Sequence, residues 1–285
     1  MRVAQVRVDE HASSVLALAC DGELYDVDRL EAAWGVTHPL SGRDFHTRVV
    51  SARGEGLDEL DARLRQGPRP AAAHLRDGEY FPLPPCDLDR AAYIQLAPYG
   101  HAGTTPLFEH RDARGLVGDD QPVPFFGPVG ELAVEAGVAA VLGDDLWQAG
   151  PREAERAILG LTLVLDWGRH GRAWSERLPC PASPSQVGPV VTMRQRLRDM
   201  AELDLELEVN GTSRRAGRIG DGARAPGETL GWMSHHLPLR AGDVIGLGCL
   251  PGGHVGRGEI QPGDRVRLTL KPLMRLAGWA AAPTG

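Results

Sequence analysis

The sequence predicts a mainly β fold of the α+β class, with many short strands turning at glycine and proline and a few helices at the periphery. Three observations carry this. With 36 glycines and 22 prolines, roughly a fifth of the 285 residues are turn-formers. Leu203 to Gly211, LDLELEVNG, alternates apolar and polar residues and ends in Asn-Gly, the pattern of a strand entering a tight hairpin. Apolar residues at helical spacing come in short stretches such as LDELDARLRQG.

In chain order, RVAQVRV, SVLALAC and ELYDV read as strands, the last two joined by Asp-Gly turn chemistry. LDELDARLRQG is a short helix stopped by Gly-Pro. YFPLPP, Tyr80 to Pro85, is stiff and proline-rich and reads as a linker. A boundary near residue 86 therefore separates a small β-rich N-terminal domain, 1–86, from a second domain, 87–285. In the latter, AAYIQLAPYGHAG is a strand and loop, and PREAERAILGLTLVLDWG a helix running into an apolar strand that ends at Asp166. GETLGWMSHHLPL is a short helix, and AGDVIGLG and PGDRVRLTL are strands entered through Gly-Asp turns. Residues 144–152 and 212–227 read as loops; the second, rich in arginine and glycine, is either a solvated loop or a lid over an anionic substrate.

A net charge of -7 argues against nucleic acid or anionic membrane as partners. The basic residues are arginines apart from Lys271, so lysine chemistry is nearly unavailable. Cys20, Cys86, Cys180 and Cys249 are far apart without a CxxC pair, which argues against a disulfide framework or zinc site. The first residues alternate like a strand and lack a signal-peptide core, and no apolar run approaches a membrane span. The expected location is cytoplasmic.

Individual residues allow paired readings. Asp166, at a strand end, is a turn cap or an active-site group. His101, in the loop YGHAGTT, is solvated or catalytic. Glu135 is the one carboxylate of the apolar strand VEAGVAAVLG and needs a cationic or hydrogen-bonding partner. Glu206 and Glu208 alternate with leucines as a solvated face. His235 and His236, being adjacent, cannot share a helix face to hold a metal. Cys249 in GLGCLPGG fits small-residue packing better than a reactive thiol.

The succession LVGDDQPV, VEAGVAAVLG, GLTLVLDW, VNG, LRAGDVIGLGCLPGG and QPGDRVRLTL resembles the fumarylacetoacetate hydrolase family over residues 89 to 277. The resemblance implies a mixed β-roll behind a small leading domain, a homodimer, and a small-molecule substrate. It also implies a Mg2+ or Mn2+ ion held by two glutamates at alternate positions of one strand and an aspartate ending another. Glu135 and Asp166 match two of these ligands, while Gly137 stands where the second glutamate is expected. His101 matches the histidine of an H-x-x-E loop whose glutamate position is Thr104, and the family's arginine falls on Arg169 or His170. The family's lysine falls near Pro179. Gly248 and Cys249, with Tyr99 and Gln186, are expected to line the substrate.

The implied catalytic set is thus His101, Glu135, Asp166, Arg169 and His170, around a metal site that is either weakened or given up. Three readings follow: an enzyme of altered chemistry (lyase, hydratase, isomerase or cyclisation catalyst) on a small oxo-acid, a conventional Mg-dependent diketone hydrolase, or a non-catalytic binding protein on the same fold.

Overall fold

The computed structural model describes residues 1–9, 13–96, 108–111, 113–125, 128–169, 185–197, 199–221, 224–256 and 258–281. The chain opens with the three expected strands, β1 (Arg2–Arg7), β2 (Val15–Cys20) and β3 (Glu23–Asp26). Asp21 and Gly22 turn β2 into β3 with φ of 51° and 90°, as a two-residue hairpin of the primed type requires. Helix α1 (Val27–Trp34) starts at Asp26, whose carboxylate accepts the Arg29 backbone N–H, and stops at left-handed Gly35. Helix α2 (Leu57–Gln66) is the expected LDELDARLRQ segment and buries Leu57, Leu60 and Leu64 along one stripe.

After the two-residue strand β4 (His74–Leu75), the proline-rich stretch differs from the linker expected. Phe81–Leu83 is strand β5, antiparallel to β1, with Pro82 opposite Val6. The pairing is possible because β5 is an edge strand, where a missing N–H costs no ladder bond. Gln121 Nε2 also donates to the Pro82 carbonyl at 2.6 Å, and a Cβ at Gly118 would lie 2.2 Å from that oxygen.

The remaining strands are β6 (Tyr93–Leu96), β7 (Phe108–Arg111), β8 (Gln121–Pro124) and β9 (Leu132–Leu142). Helix α3 (Pro151–Arg156) precedes β10 (Ile158–Arg169), β11 (Ser185–Met193) and β12 (Asp204–Val209). Then come β13 (Thr212–Arg218), α4 (Pro226–Ser234), β14 (Val244–Gly256), β15 (Val266–Lys271) and β16 (Met274–Ala281). β13 corrects the reading of 212–227 as a loop: after the Asn210-Gly211 turn, Thr212 to Arg218 pair back along β12.

Among the described residues these strands form two mixed sheets. The larger runs β4-β3-β2-β1-β11-β10-β9-β14-β6-β7 with β5 on β1; the smaller runs β13-β12-β15-β16-β8. Because β1 pairs with β11 through Val3↔Val191, the residues on either side of position 86 share one sheet. All of β9 is buried, since both its faces are covered. Val134, Ala136, Val138 and Ala140 pack in one cluster with Leu205, Leu207, Leu268 and Leu276 of the smaller sheet. Ala139 and Val141 face the other way, in a cluster with Leu18, Leu30, Leu57 and Leu60. Glu135 and Gly137 share that second face, because side chains alternate along a strand.

The larger sheet curls on itself. β7 lies several strands from β10 by pairing order, yet Arg111 of β7 contacts Asp166 of β10. Just beyond β7, Val117 donates to Ser185 O at 2.9 Å and accepts from Val187 N at 3.0 Å, closing the curl against β11. This is the β-roll, and its inner face carries the residues below. No helix among the described residues is long and apolar enough to cross a membrane.

Candidate functional site

Neighbouring ladders set four polar residues side by side. His254 on β14 stands opposite Glu135 on β9, Glu135 opposite Asp166 on β10, and Asp166 opposite Ser185 on β11. Adjacent strands lie about 5 Å apart, so side chains directly opposite one another are in reach. The next row inward is Cys249, Gly137, Val164 and Val187. Between the two rows β14 runs from Cys249 to His254 while β9 runs only from Gly137 to Glu135, so the intervening residues of β14 arch out as a bulge. Gly248, at φ 101°, lies in the bulge just before it, between Gly246 and Cys249.

Each acid of the row meets a base. Asp166 Oδ1 accepts from Ser185 Oγ at 2.8 Å and from Arg111 Nη1. The same Nη1 donates to Ser185 Oγ at 3.0 Å, and Arg111 Nε donates to Glu109 Oε2 at 2.9 Å. Burial pulls the Arg111 pKa down, but the charge of Asp166 and its hydrogen bond outweigh this and raise it, so the guanidinium stays charged. Glu135 is 2% exposed, and its Oε1 is 3.4 Å from Nδ1 of His254, which is itself 32% exposed. The imidazole connects a buried carboxylate to the more open side of the row.

Tyr93 stands opposite Arg111 on the β6–β7 ladder and donates its hydroxyl to Gln95 Oε1 at 2.7 Å. Gln95 lies over Gly246, where a Cβ would come within 2.0 Å of Oε1; glycine is required there for close approach.

Glu135 and Asp166 are therefore brought together, in adjacent strands and on one face. Tyr99, His101 and His170 lie outside the described residues. Arg169 ends β10, and Cys249 pairs with Gly137, with the backbone alone described for both. Gln186 departs from its expected role on the substrate. It sits one residue past Ser185 and so points to the opposite face, between the sheets. There it accepts from Trp167 Nε1 at 3.0 Å and donates to the carbonyls of Gly118, Gln121 and Ala277. Its carbonyl oxygen thus takes the indole N–H, and its two amide hydrogens are shared among three backbone carbonyls. Lys271 pairs with Glu206 at 2.6 Å on the smaller sheet.

Arg111, Glu109, Ser185 and His254 were not singled out from sequence. FEHR does alternate an acid and a base on a short strand, a weak local signal for the first two. His254 follows Pro-Gly-Gly in the bulge and has none.

The donors as arranged do not fit a divalent cation. Asp166 Oδ1 is taken by a guanidinium and a hydroxyl, Glu135 faces an imidazole, and position 137 offers no side chain. A hard dication needs several oxygen ligands and would sit beside a fixed positive charge.

Residues 86–278 match the family model described as fumarylacetoacetate (FAA) hydrolase C-terminal. The chain is 28% identical over 161 residues to oxaloacetate tautomerase YisK of Bacillus subtilis (strain 168), covering 52% of this chain and 51% of that protein. It is 28% identical over 179 residues to a 4-hydroxyphenylacetate degradation bifunctional isomerase/decarboxylase of Escherichia coli, 61% of this chain and 39% of the other. The chain thus matches about half, or less, of the length of these relatives. The crystal structure of maleylpyruvate hydrolase from Sphingobium sp. SYK-6 gives a TM-score of 0.74 at 20% identity over 99% of both chains. That enzyme in complex with manganese(II) ion and pyruvate gives 0.74 at 21% identity, covering 100% of both. At such identity the likeness is one of fold.

Proposed function

The chain belongs to the fumarylacetoacetate hydrolase family, and on that premise we propose that it is an enzyme of altered chemistry that moves a proton on a small enolisable oxo-acid. The observation that carries this is the polar row, in which a buried carboxylate, Glu135, meets a half-exposed imidazole, His254, beside a buried guanidinium. The Glu135–His254 pair acts as base and acid. It takes a proton from the carbon next to the 2-oxo group, the C–H electrons form the C=C bond as the carbonyl electrons move to oxygen, and the proton returns elsewhere on the resulting enolate. Arg111 stabilises the oxygen on which charge develops.

The tautomerase and isomerase names of the curated relatives support this class of reaction. A metal-assisted cleavage of a diketone is the second reading, supported by the manganese and pyruvate held by the maleylpyruvate hydrolase. The boundary at residue 86 is supported by the start of the family match there, and the leading segment is a module docked through β1. A cytoplasmic homodimer fits the family and the free, buried Cys20 and Cys86.

The test is proton NMR of pyruvate and oxaloacetate in D2O with the purified protein. Enzyme-dependent loss of the C3 proton signals, abolished by Glu135→Gln, supports the reading. No exchange above the buffer rate, together with cleavage of an acylpyruvate on adding Mg2+, favours the second.

A further inference from the structure

Where the metal of the family would be expected, the inner face of the roll carries a guanidinium, Arg111, held against the carboxylates of Asp166 and Glu109. From this arrangement we infer that Arg111 replaces a divalent cation, and that the protein binds the carboxylate or enolate oxygens of its substrate through this side chain without metal. The inference deepens the proton-transfer reading and rests on the polar row being the substrate site.

Four observations converge. The first is charge. Gly137 removes one carboxylate from the expected set, and the group held beside Asp166 is a monocation, Arg111, which Glu109 also meets through Nε. Second, Arg111 is held on two sides, by Asp166 and Ser185 at Nη1 and by Glu109 at Nε. A side chain gripped in this way is pre-organised, and binding an anion costs it little rotamer freedom. Third, its Nη2 makes no hydrogen bond among the described residues, which leaves two N–H donors at the end of a charged, planar group. Such a group matches planar carboxylates and enolates. Fourth, Gly137, paired with Cys249 and with Val164, puts no side chain of its own on the face of β9 that carries Glu135.

Two measurements on the full chain decide the matter. In the first, chelator-treated protein is titrated with Mn2+ while the electron paramagnetic resonance signal of free aqueous Mn2+ is followed. Wild type is expected to leave the signal unattenuated at equimolar ion, and Arg111→Gln/Gly137→Glu to capture it. Stoichiometric capture by wild type, lost in Glu135→Gln, would overturn the inference. In the second, oxalate, a planar dianion resembling the enolate of pyruvate, is titrated into metal-free protein by calorimetry. Binding is expected without metal and to weaken about tenfold to a hundredfold in Arg111→Gln, the range for losing charge-assisted hydrogen bonds. Arg111→Lys should recover part of it. Absence of metal-free binding, or binding indifferent to Arg111, would sink the idea. The wild-type titrations need no variant, so a substitution that misfolds does not leave the question open. Turnover that requires Mn2+ would overturn this inference while leaving proton transfer standing.

Discussion

Glu135 and Asp166 are paired across the β9–β10 ladder on one face of the sheet, yet each meets a nitrogen partner from a different direction. Asp166 is met by Arg111, which reaches it from β7, and Glu135 by His254, its opposite neighbour on β14. Two carboxylates in adjacent strands would otherwise repel or share a proton. Asp166 holds the Arg111 guanidinium, and Glu135 lies against the His254 imidazole.

The Arg111–Asp166 pair should therefore be a strong energetic coupling. The side chains are 14% and 4% exposed, so breaking the pair strands a charge. Asp166→Asn and Arg111→Met are each expected to lower the unfolding free energy by about 3 kcal/mol, and the double variant by clearly less than their sum. Urea unfolding of the four proteins checks this. Additive losses would mean that the ion pair contributes no coupling.

Gln186 should behave as structure and not as part of the site. Its amide satisfies the Trp167 indole and three backbone carbonyls between the sheets. Gln186→Leu strands the Trp167 indole and takes a donor from the carbonyls, of which that of Ala277 keeps the Asp120 N–H; it should cost about 2–4 kcal/mol, on the scale of one to three per stranded buried polar group. Oxalate affinity measured on the folded fraction should hold. A selective loss of affinity at unchanged stability would return Gln186 to the substrate.

The contrast between Glu135 and Arg111 shows what the sequence makes legible. Strand identity and facing follow from local pattern, so β1, β2, β3, α2 and the β12 strand read correctly, and the placement of Glu135 and Gly137 on one face follows from a period of two. Arg111 belongs to a contact made by curling the whole sheet, between residues far apart in the chain, and no local pattern encodes that. The misreading of Phe81–Leu83 has another cause. Prolines argue against a strand unless it is an edge, and edge status is a property of the assembled sheet. Likewise, Gln186 and Ser185 are neighbours on opposite faces, and the sequence alone does not say which of them stands beside Asp166.

The leading segment should be required for folding of the rest. Removing residues 1–86 strips β1 from β11 and uncovers Val164, Val187 and Val191, which pack with Leu57 and Leu60 of α2. Residues 87–285 expressed alone are expected to aggregate or to bind a hydrophobic dye such as ANS. A soluble, cooperatively unfolding fragment would show instead that the two blocks are independent. Gly118→Ala tests the same junction more gently. Its Cβ would meet the Pro82 carbonyl at 2.2 Å, and backbone on both sides cannot yield cheaply, so the melting temperature should fall.

Asp119, of the GDD turn before β8, should destabilise the protein when ionised. Burial pushes its carboxyl up to about 6, against the opposing hydrogen bond from the Ala277 backbone N–H. Asp120 adds to the rise and Arg275 acts against it. The folded protein then holds this proton more tightly than the unfolded chain, whose ordinary value is 3.8. Between those two values the folded state binds more protons, so this group's contribution to stability falls as pH rises through the window. Asp119→Asn keeps an acceptor for the Ala277 N–H without the charge. It should be more stable than wild type by about 1–2 kcal/mol at neutral pH, after allowing for partial exposure. The advantage should shrink as pH falls through 6 and vanish below about 4, where the wild-type carboxyl is neutral in both states. Urea midpoints for the two proteins at neutral, mildly acidic and acidic pH measure the difference. A gap that stays constant across the range would show that ionisation of Asp119 is not its source.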